Sequence, residues 1–251
     1  MKKFDIEVDD KETTQIGIDA IIDFYQTIAI DKLLLPQIYA FATGVDSPFL
    51  NVVIDARPIR GDSIDEIQLC LNFFKKHQVP WAWFMVPGTA LNDLESNEFS
   101  LLEEASAMYF DLSNPLPIKN IPSLTIYELG AKDDLSTWIQ PINEAFEAKP
   151  EEDSYRKLNA DLLNKGCTKL RHFVSMTDNN VVAAGTLFLS DQSVMLHNLA
   201  TKKDYARRGI GTALTLYMMS EAKNLGYKHC FLDSSEDGFS LYKRIGFKIY
   251  S

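Results

Sequence analysis

The stretch SVMLHNLATKKDYARRGIGTALTLYMMSEAKNLGYKHCFLD, Ser193 to Asp233, constrains this chain more than any other. It reads as a β-rich apolar run, a loop with two glycines, a segment of helical period closed by Gly226, and a second apolar run. Glycine costs about 1 kcal/mol in a helix interior. Gly209 and Gly211 at the start of a good helix therefore imply a close approach to the backbone. A helix N-terminus carries a partial positive charge and free N–H groups. Lys202, Lys203, Arg207 and Arg208 surround it, with only Asp204 opposed, so a phosphate or pyrophosphate is the natural guest. The loop fits neither GxxxxGK[ST] nor GxGxxG, because Leu214 stands at the third glycine position. Taken alone, it also reads as a tight turn with a solvated basic edge.

Around this stretch the pattern alternates strands and helices. In the first half, Ile16–Ala29 has helical spacing and Leu50–Ala56 is a short β-rich run. Asp62–Lys76 is an amphipathic helix that Asp62 or Ser63 can cap, and Trp81–Val86 and Glu103–Leu112 read as strands. Asp111–Ser123 holds three prolines and is the expected boundary. In the second half, Leu124–Glu128 is a strand, and Asp133–Glu147 and Glu151–Asn164 are helices. Leu170–Met176 and Val181–Leu189 are strands joined at Asp178-Asn179-Asn180, a hairpin signal. After the long helix and His229–Asp233 come a short helix, Phe239–Ile245, and a strand, Phe247–Tyr250. Each half runs strand, loop, amphipathic helix, apolar strand: LNVVIDA then WAWFMV, and SVMLHNLA then HCFLD. That order suggests a diverged duplication whose first copy, at Arg57–Asp62, has a single loop glycine.

Charge narrows the partners. The net charge of −10 makes nucleic acid and anionic membrane poor partners. Residues 1–120 hold 9 Lys and Arg against 19 Asp and Glu, while the rest hold 16 of each. An anion site therefore belongs in the second half. Cys70, Cys167 and Cys230 are odd in number and far apart, which argues for a reducing cytoplasm and against a metal cluster. The acidic start, MKKFDIEVDDKE, does not read as a signal peptide, and Ile16–Leu35 is interrupted by Asp19, Asp23 and Asp31.

Two motifs carry a resemblance. HNLATKKDYARRGIGTAL resembles the acetyl-CoA signature of the GNAT superfamily of N-acetyltransferases, a strand followed by [Q/R]-x-x-G-x-[G/A] and a helix, with the pattern on Ala206–Gly211. SLYKRIGF, Ser240 to Phe247, resembles that family's second signature, a tyrosine followed by Gly-Phe. The resemblance implies an α/β (α+β) fold with a mixed, mostly antiparallel sheet flanked by helices. Residues 121–251 would be the catalytic domain, preceded by a smaller related domain at 1–120, where PWAWFMVPG looks like a degenerate partner domain. Ala206 stands where the family usually has Arg or Gln, and Ser235 where many members have asparagine. The chain stops just after Gly246-Phe247, so the family's last strand is expected to be missing and a sheet edge open unless the first half or another chain covers it.

The implied reaction is direct attack of an amine on the acetyl-CoA thioester, with acetyl-CoA as co-substrate and no metal. The resemblance puts Leu199, Ala200, Thr201, Arg207, Arg208, Gly209, Ile210, Gly211, Thr212, Ser235 and Tyr242 at the cofactor. The Leu199 N–H would serve the thioester carbonyl, and Tyr242 would protonate the leaving thiolate. Some members use a glutamate on this strand, where Met195 stands here. His197 shares its face and, with an ordinary pKa near 6.5, is the candidate base; Glu236 or a water chain are alternatives. The acceptor is a primary amine of a small molecule or a protein. A non-catalytic acetyl-CoA sensor is the rival reading. A cytoplasmic monomer or homodimer completes the expectation.

Overall fold

The computed structural model describes residues 6–56, 64–85, 99–147 and 153–250. The proposed caps at Asp62 and Ser63, the Arg57–Asp62 loop and the end of PWAWFMVPG lie outside the described residues. Two compact units divide the chain: Asp10–Glu104, and a second of residues 6–9 with Ala105–Tyr250.

In the first unit, helix α1 (Lys11–Ile28) precedes strands β1 (Asp31–Leu35), β2 (Ile38–Ala42) and β3 (Val52–Asp55). Helix α2 (Ile64–His77) then leads to β4 (Ala82–Met85). Helix α1 starts before its apolar stripe does. Asp10 accepts from the Thr13 N–H at 3.0 Å and from its hydroxyl at 2.6 Å, and this cap recruits a polar first turn. The four strands lie in sequence order; β1–β3 are antiparallel and β4 is parallel to β3. The β1–β2 hairpin went unread because its turn places Gln37 at positive φ, without the glycine or asparagine that announces such turns. Ile38, Ala40, Val53, Cys70 and Phe74 form the core between sheet and α2. Buried Asn51 ties the loops: it accepts from the Thr43 N–H at 2.9 Å and donates to the Val45, Ser47 and Pro80 carbonyls.

The second unit begins with β5 (Ser106–Asp111) and β6 (Thr125–Leu129), then α3 (Ser136–Ala145) and α4 (Ser154–Asn164). Strands β7 (Leu170–Thr177), β8 (Asn180–Leu189) and β9 (Ser193–Thr201) follow. Helix α5 (Ile210–Asn224), β10 (His229–Ser234), α6 (Glu236–Ile245) and β11 (Lys248–Ile249) complete it. The sheet order is β11-β5-β10-β9-β8-β7-β6. All pairings are antiparallel except β9 with β10, as expected of a mostly antiparallel mixed sheet. On one face, Leu187, Leu196 and Leu232 meet Leu214 and Met218 of α5 and Tyr242 of α6. On the other, Val174, Ala184 and Ala200 meet Trp138 and Ile142 of α3. Each such fully buried aliphatic side chain contributes about 1.5–3 kcal/mol.

One expectation is corrected and another resolved. The boundary placed at residue 120 falls instead between Glu104 and Ala105. The sheet edge is covered from the first half of the chain: β5 pairs with β10 from His229↔Asp111 to Ser234↔Ser106, and β11 pairs with the far side of β5. The strand that looked to be missing after Gly246-Phe247 is thus supplied from upstream. Residues 6–9 extend the same end, where the Glu7 and Val8 N–H groups donate to the Ile249 carbonyl.

Candidate functional site

The site forms where two strands part. Parallel pairing of β9 with β10 covers only Ser193↔His229, Val194↔Cys230 and Met195↔Phe231. Both strands then continue, to Thr201 and Ser234, without pairing to each other. The cause lies one strand over. Between β8 and β9 the register shifts, with Ala184 opposite Ala200 but Thr186 opposite His197. Asn198, in the extra stretch, takes φ +55°. Such a bulge bends its strand. Asparagine tolerates this left-handed backbone better than most residues. The Asn198 amide donates to the Tyr155 hydroxyl of α4 at 2.9 Å and reaches Thr186 Oγ1 at 3.5 Å. Gly185 gives the bulge room: a Cβ there would meet Leu199 Cδ2 and Met218 Sδ at 3.0 Å.

Beyond the cleft, a short 3-10 turn at Lys203–Tyr205 leads into α5. Its N-cap, Gly209, has φ +81°, and no side chain caps the helix. The Ala213 N–H is bound to the Gly209 carbonyl, so Ile210, Gly211 and Thr212 bring the first-turn N–H groups. Gly211 faces Thr201 Oγ1 and Leu241. The basic surround differs from the sequence expectation. Lys203 pairs with Glu147 at 3.0 Å, its N–H donates to Glu144, and Lys202 donates to Gln140, so these lysines serve α3 and its end. Arg208 donates to the Asp204 carbonyl and lies 5.1 Å over the Tyr205 ring. Arg207 is exposed, at φ +61°. A cation that the sequence did not single out replaces the lysines: a Cβ on Gly209 would sit 2.7 Å from Lys119 Cε and 3.3 Å from Lys119 Nζ.

Tyr242 lies on α6, 8% exposed, with its ring edge-on to Phe247 at 5.8 Å. Burial pushes its phenol further above the usual tyrosine range, so it stays protonated. Ser235 caps α6 by accepting from the Gly238 N–H at 3.4 Å, a structural use of the position expected at the cofactor. Glu236 stands exposed in the first turn of α6. Cys230 is fully buried in the core, and burial raises its thiol well above the usual range. His197 needs correction as a base. It lies on the sheet face that α3 and α4 cover, and burial pushes its pKa down to about 3 rather than leaving it near 6.5. It is neutral at pH 7 but a feeble proton acceptor.

The parallel register brings in a residue that sequence reasoning did not single out. Phe231 pairs with Met195, so two residues on, Asp233 stands across the cleft from His197 on the same face. Asp233 is exposed, and the surrounding protein pushes its carboxyl upward, an effect that contact with solvent limits. Among the described residues no group of three or more His, Cys, Asp or Glu could hold a metal ion, and no helix is long and apolar enough to cross a membrane.

The family model described as "Acetyltransferase (GNAT) domain" matches residues 168–249, which span the bulge, the glycine loop and the tyrosine helix. A solved GCN5-related N-acetyltransferase from Kribbella flavida is similar at TM-score 0.70 and 14% identity, over 94% of this chain and 91% of that one. A functionally unknown conserved protein from Staphylococcus epidermidis ATCC 12228 is similar at TM-score 0.63 and 11% identity, over 88% and 91%. No match was found among the curated proteins.

Proposed function

Proceeding from a GNAT acetyltransferase domain at residues 168–249 within a GNAT fold, we propose that this chain transfers the acetyl group of acetyl-CoA to a primary amine. The observation that carries the reading is the cleft between β9 and β10, with its bulge at Asn198 beside the glycine-capped start of α5. The pyrophosphate is held by the N–H groups of Gly209, Ile210, Gly211 and Thr212, with Arg207 and Arg208 at hand. The pantetheine runs along Leu199–Thr201, and the Leu199 N–H donates to the thioester carbonyl, where negative charge develops during attack. Tyr242, protonated at neutral pH, gives its proton to the departing thiolate. The first unit repeats the strand order, and over its described residues β3 and β4 stay paired.

Met195 in place of a glutamate and the depressed pKa of His197 favour a second reading, a sensor that binds acetyl-CoA without turnover. Calorimetry with acetyl-CoA and a thiol-release assay against a panel of primary amines separate the two. Binding with thiol release is expected, binding without release for every amine selects the sensor, and no binding removes both.

A further inference from the structure

The acetyltransferase reading leaves the amine proton without an acceptor, since burial has weakened His197. An ammonium near pKa 10 cannot attack a thioester until one proton leaves. The acceptor for it must face the cleft, on the side from which the amine arrives. Tyr242 belongs to the core on the α5 face of the sheet, with Leu196 and Leu232. The amine therefore approaches from the opposite face, which carries Met195 and His197 on β9 and Phe231 and Asp233 on β10.

Resting on that reading, we propose that Asp233 is the acceptor-side residue, holding a primary alkylammonium at the cleft and taking its proton. The position argues for it in two ways. Asp233 lies two residues past the last paired position, where β10 has left β9 and a substrate can enter. It is also exposed, whereas Phe231, on the same face, is fully buried. The groups turned to this face are His197 from β9, Tyr109 and Asp111 from β5, His229 from the start of β10, and Lys248 and Tyr250 from the last strand region. His197 is held neutral by burial, and Tyr250 is raised by burial and by Asp233 itself. The Tyr109 hydroxyl lies 3.2 Å from His229 Nδ1.

The step balances. The ammonium gives one proton to the Asp233 carboxylate, which passes it to solvent. The nitrogen lone pair forms the N–C bond, and collapse breaks the C–S bond. The thiolate takes the Tyr242 proton, and the second proton shed by the nitrogen restores the phenol. Acid and base thus flank the thioester from opposite faces of one sheet.

The test compares the full-length protein with Asp233→Asn and Asp233→Glu, using acetyl-CoA and 1,4-diaminobutane. Asp233→Asn is expected to bind acetyl-CoA within about twofold of wild type and to lose about 10²- to 10⁴-fold in kcat/KM. Only the ionised carboxylate accepts a proton, so wild-type kcat/KM falls as pH drops through the raised pKa of that carboxyl. That acid limb vanishes in Asp233→Asn and returns in Asp233→Glu. Wild-type kcat/KM with an unchanged acid limb in the asparagine variant overturns the proposal, as does a parallel loss of acetyl-CoA binding, which marks a structural role. A wild-type protein that binds acetyl-CoA but releases no thiol removes the proposal and leaves binding standing. One that does not bind acetyl-CoA removes the underlying reading.

Discussion

The segment β1-β2-β3-α2-β4 and the segment β7-β8-β9-α5-β10 have the same topology: three antiparallel strands, a helix, and a strand parallel to the third. Over the described residues one stays paired, and the other opens. In the first, β3 and β4 pair along every residue, from Val52↔Ala82 to Asp55↔Met85, and β2 runs against β3 in unbroken register. In the second, a bulge at Asn198 turns β9 away after three pairs. Topology alone therefore does not make a cleft. A single residue inserted in one strand, fixed by an amide bond to Tyr155 and by room beside Gly185, does so.

The comparison breaks first on where the second unit begins. A fragment of residues 121–251 lacks β5 and leaves β10 without its antiparallel neighbour. It should give no cooperative thermal transition, whereas residues 105–251 should melt cooperatively; equal melting of both would make β5 dispensable. Next comes chemistry at the helix that follows the opened segment. Tyr242→Phe should keep acetyl-CoA binding and lose turnover by about 10²- to 10⁴-fold, measured by thiol release with chemistry rate-limiting. Wild-type turnover would remove the phenol from the mechanism.

Binding offers a smaller effect. Gly209→Val forces a branched side chain to φ +81° and against Lys119. At 100 times Kd, acetyl-CoA should stabilise the wild type by about 2.7 kcal/mol, and the variant should lose most of that in a melting assay. Calorimetry should count one acetyl-CoA per chain; two equivalent sites would mean that the zipped segment binds as well. The smallest effect is expected in the first unit. Asn51→Ala leaves the buried Thr43 N–H without its acceptor and takes one donor from each of three carbonyls, at about 1–3 kcal/mol. Denaturant unfolding should register that loss while the affinity for acetyl-CoA stays unchanged.

Much of the opened segment was legible because its signals are local. Gly209, Gly211 and Gly226 punctuate the α5 helix, and Asp178-Asn179 marks a tight turn at positive φ. What escaped depends on register. Asn198 announces nothing until the β8 pairing shows one strand longer than its partner. Asp233 looks like any acid after an apolar run until Phe231 is set against Met195. Lys119 lies in a proline-rich segment whose path no periodicity records. The boundary at 120 failed for a related reason. The prolines do end β5, but a strand's membership in a sheet is decided by its partners, and those of β5 lie far downstream.

Tyr109 of β5 and His229 of β10 are 120 residues apart, and that separation has a consequence in time. Closing so long a loop adds little to the equilibrium cost, which grows only with the logarithm of length. It weighs more on the rate, because distant pairings form late. On the ribosome, at about 5–20 residues per second, β5 waits roughly 6–24 s for its partner to be made. Throughout that interval Met108 and Phe110, buried in the finished sheet, face water or whatever protein is nearby. The strand that completes the second unit is therefore a segment in need of protection while the molecule is being born.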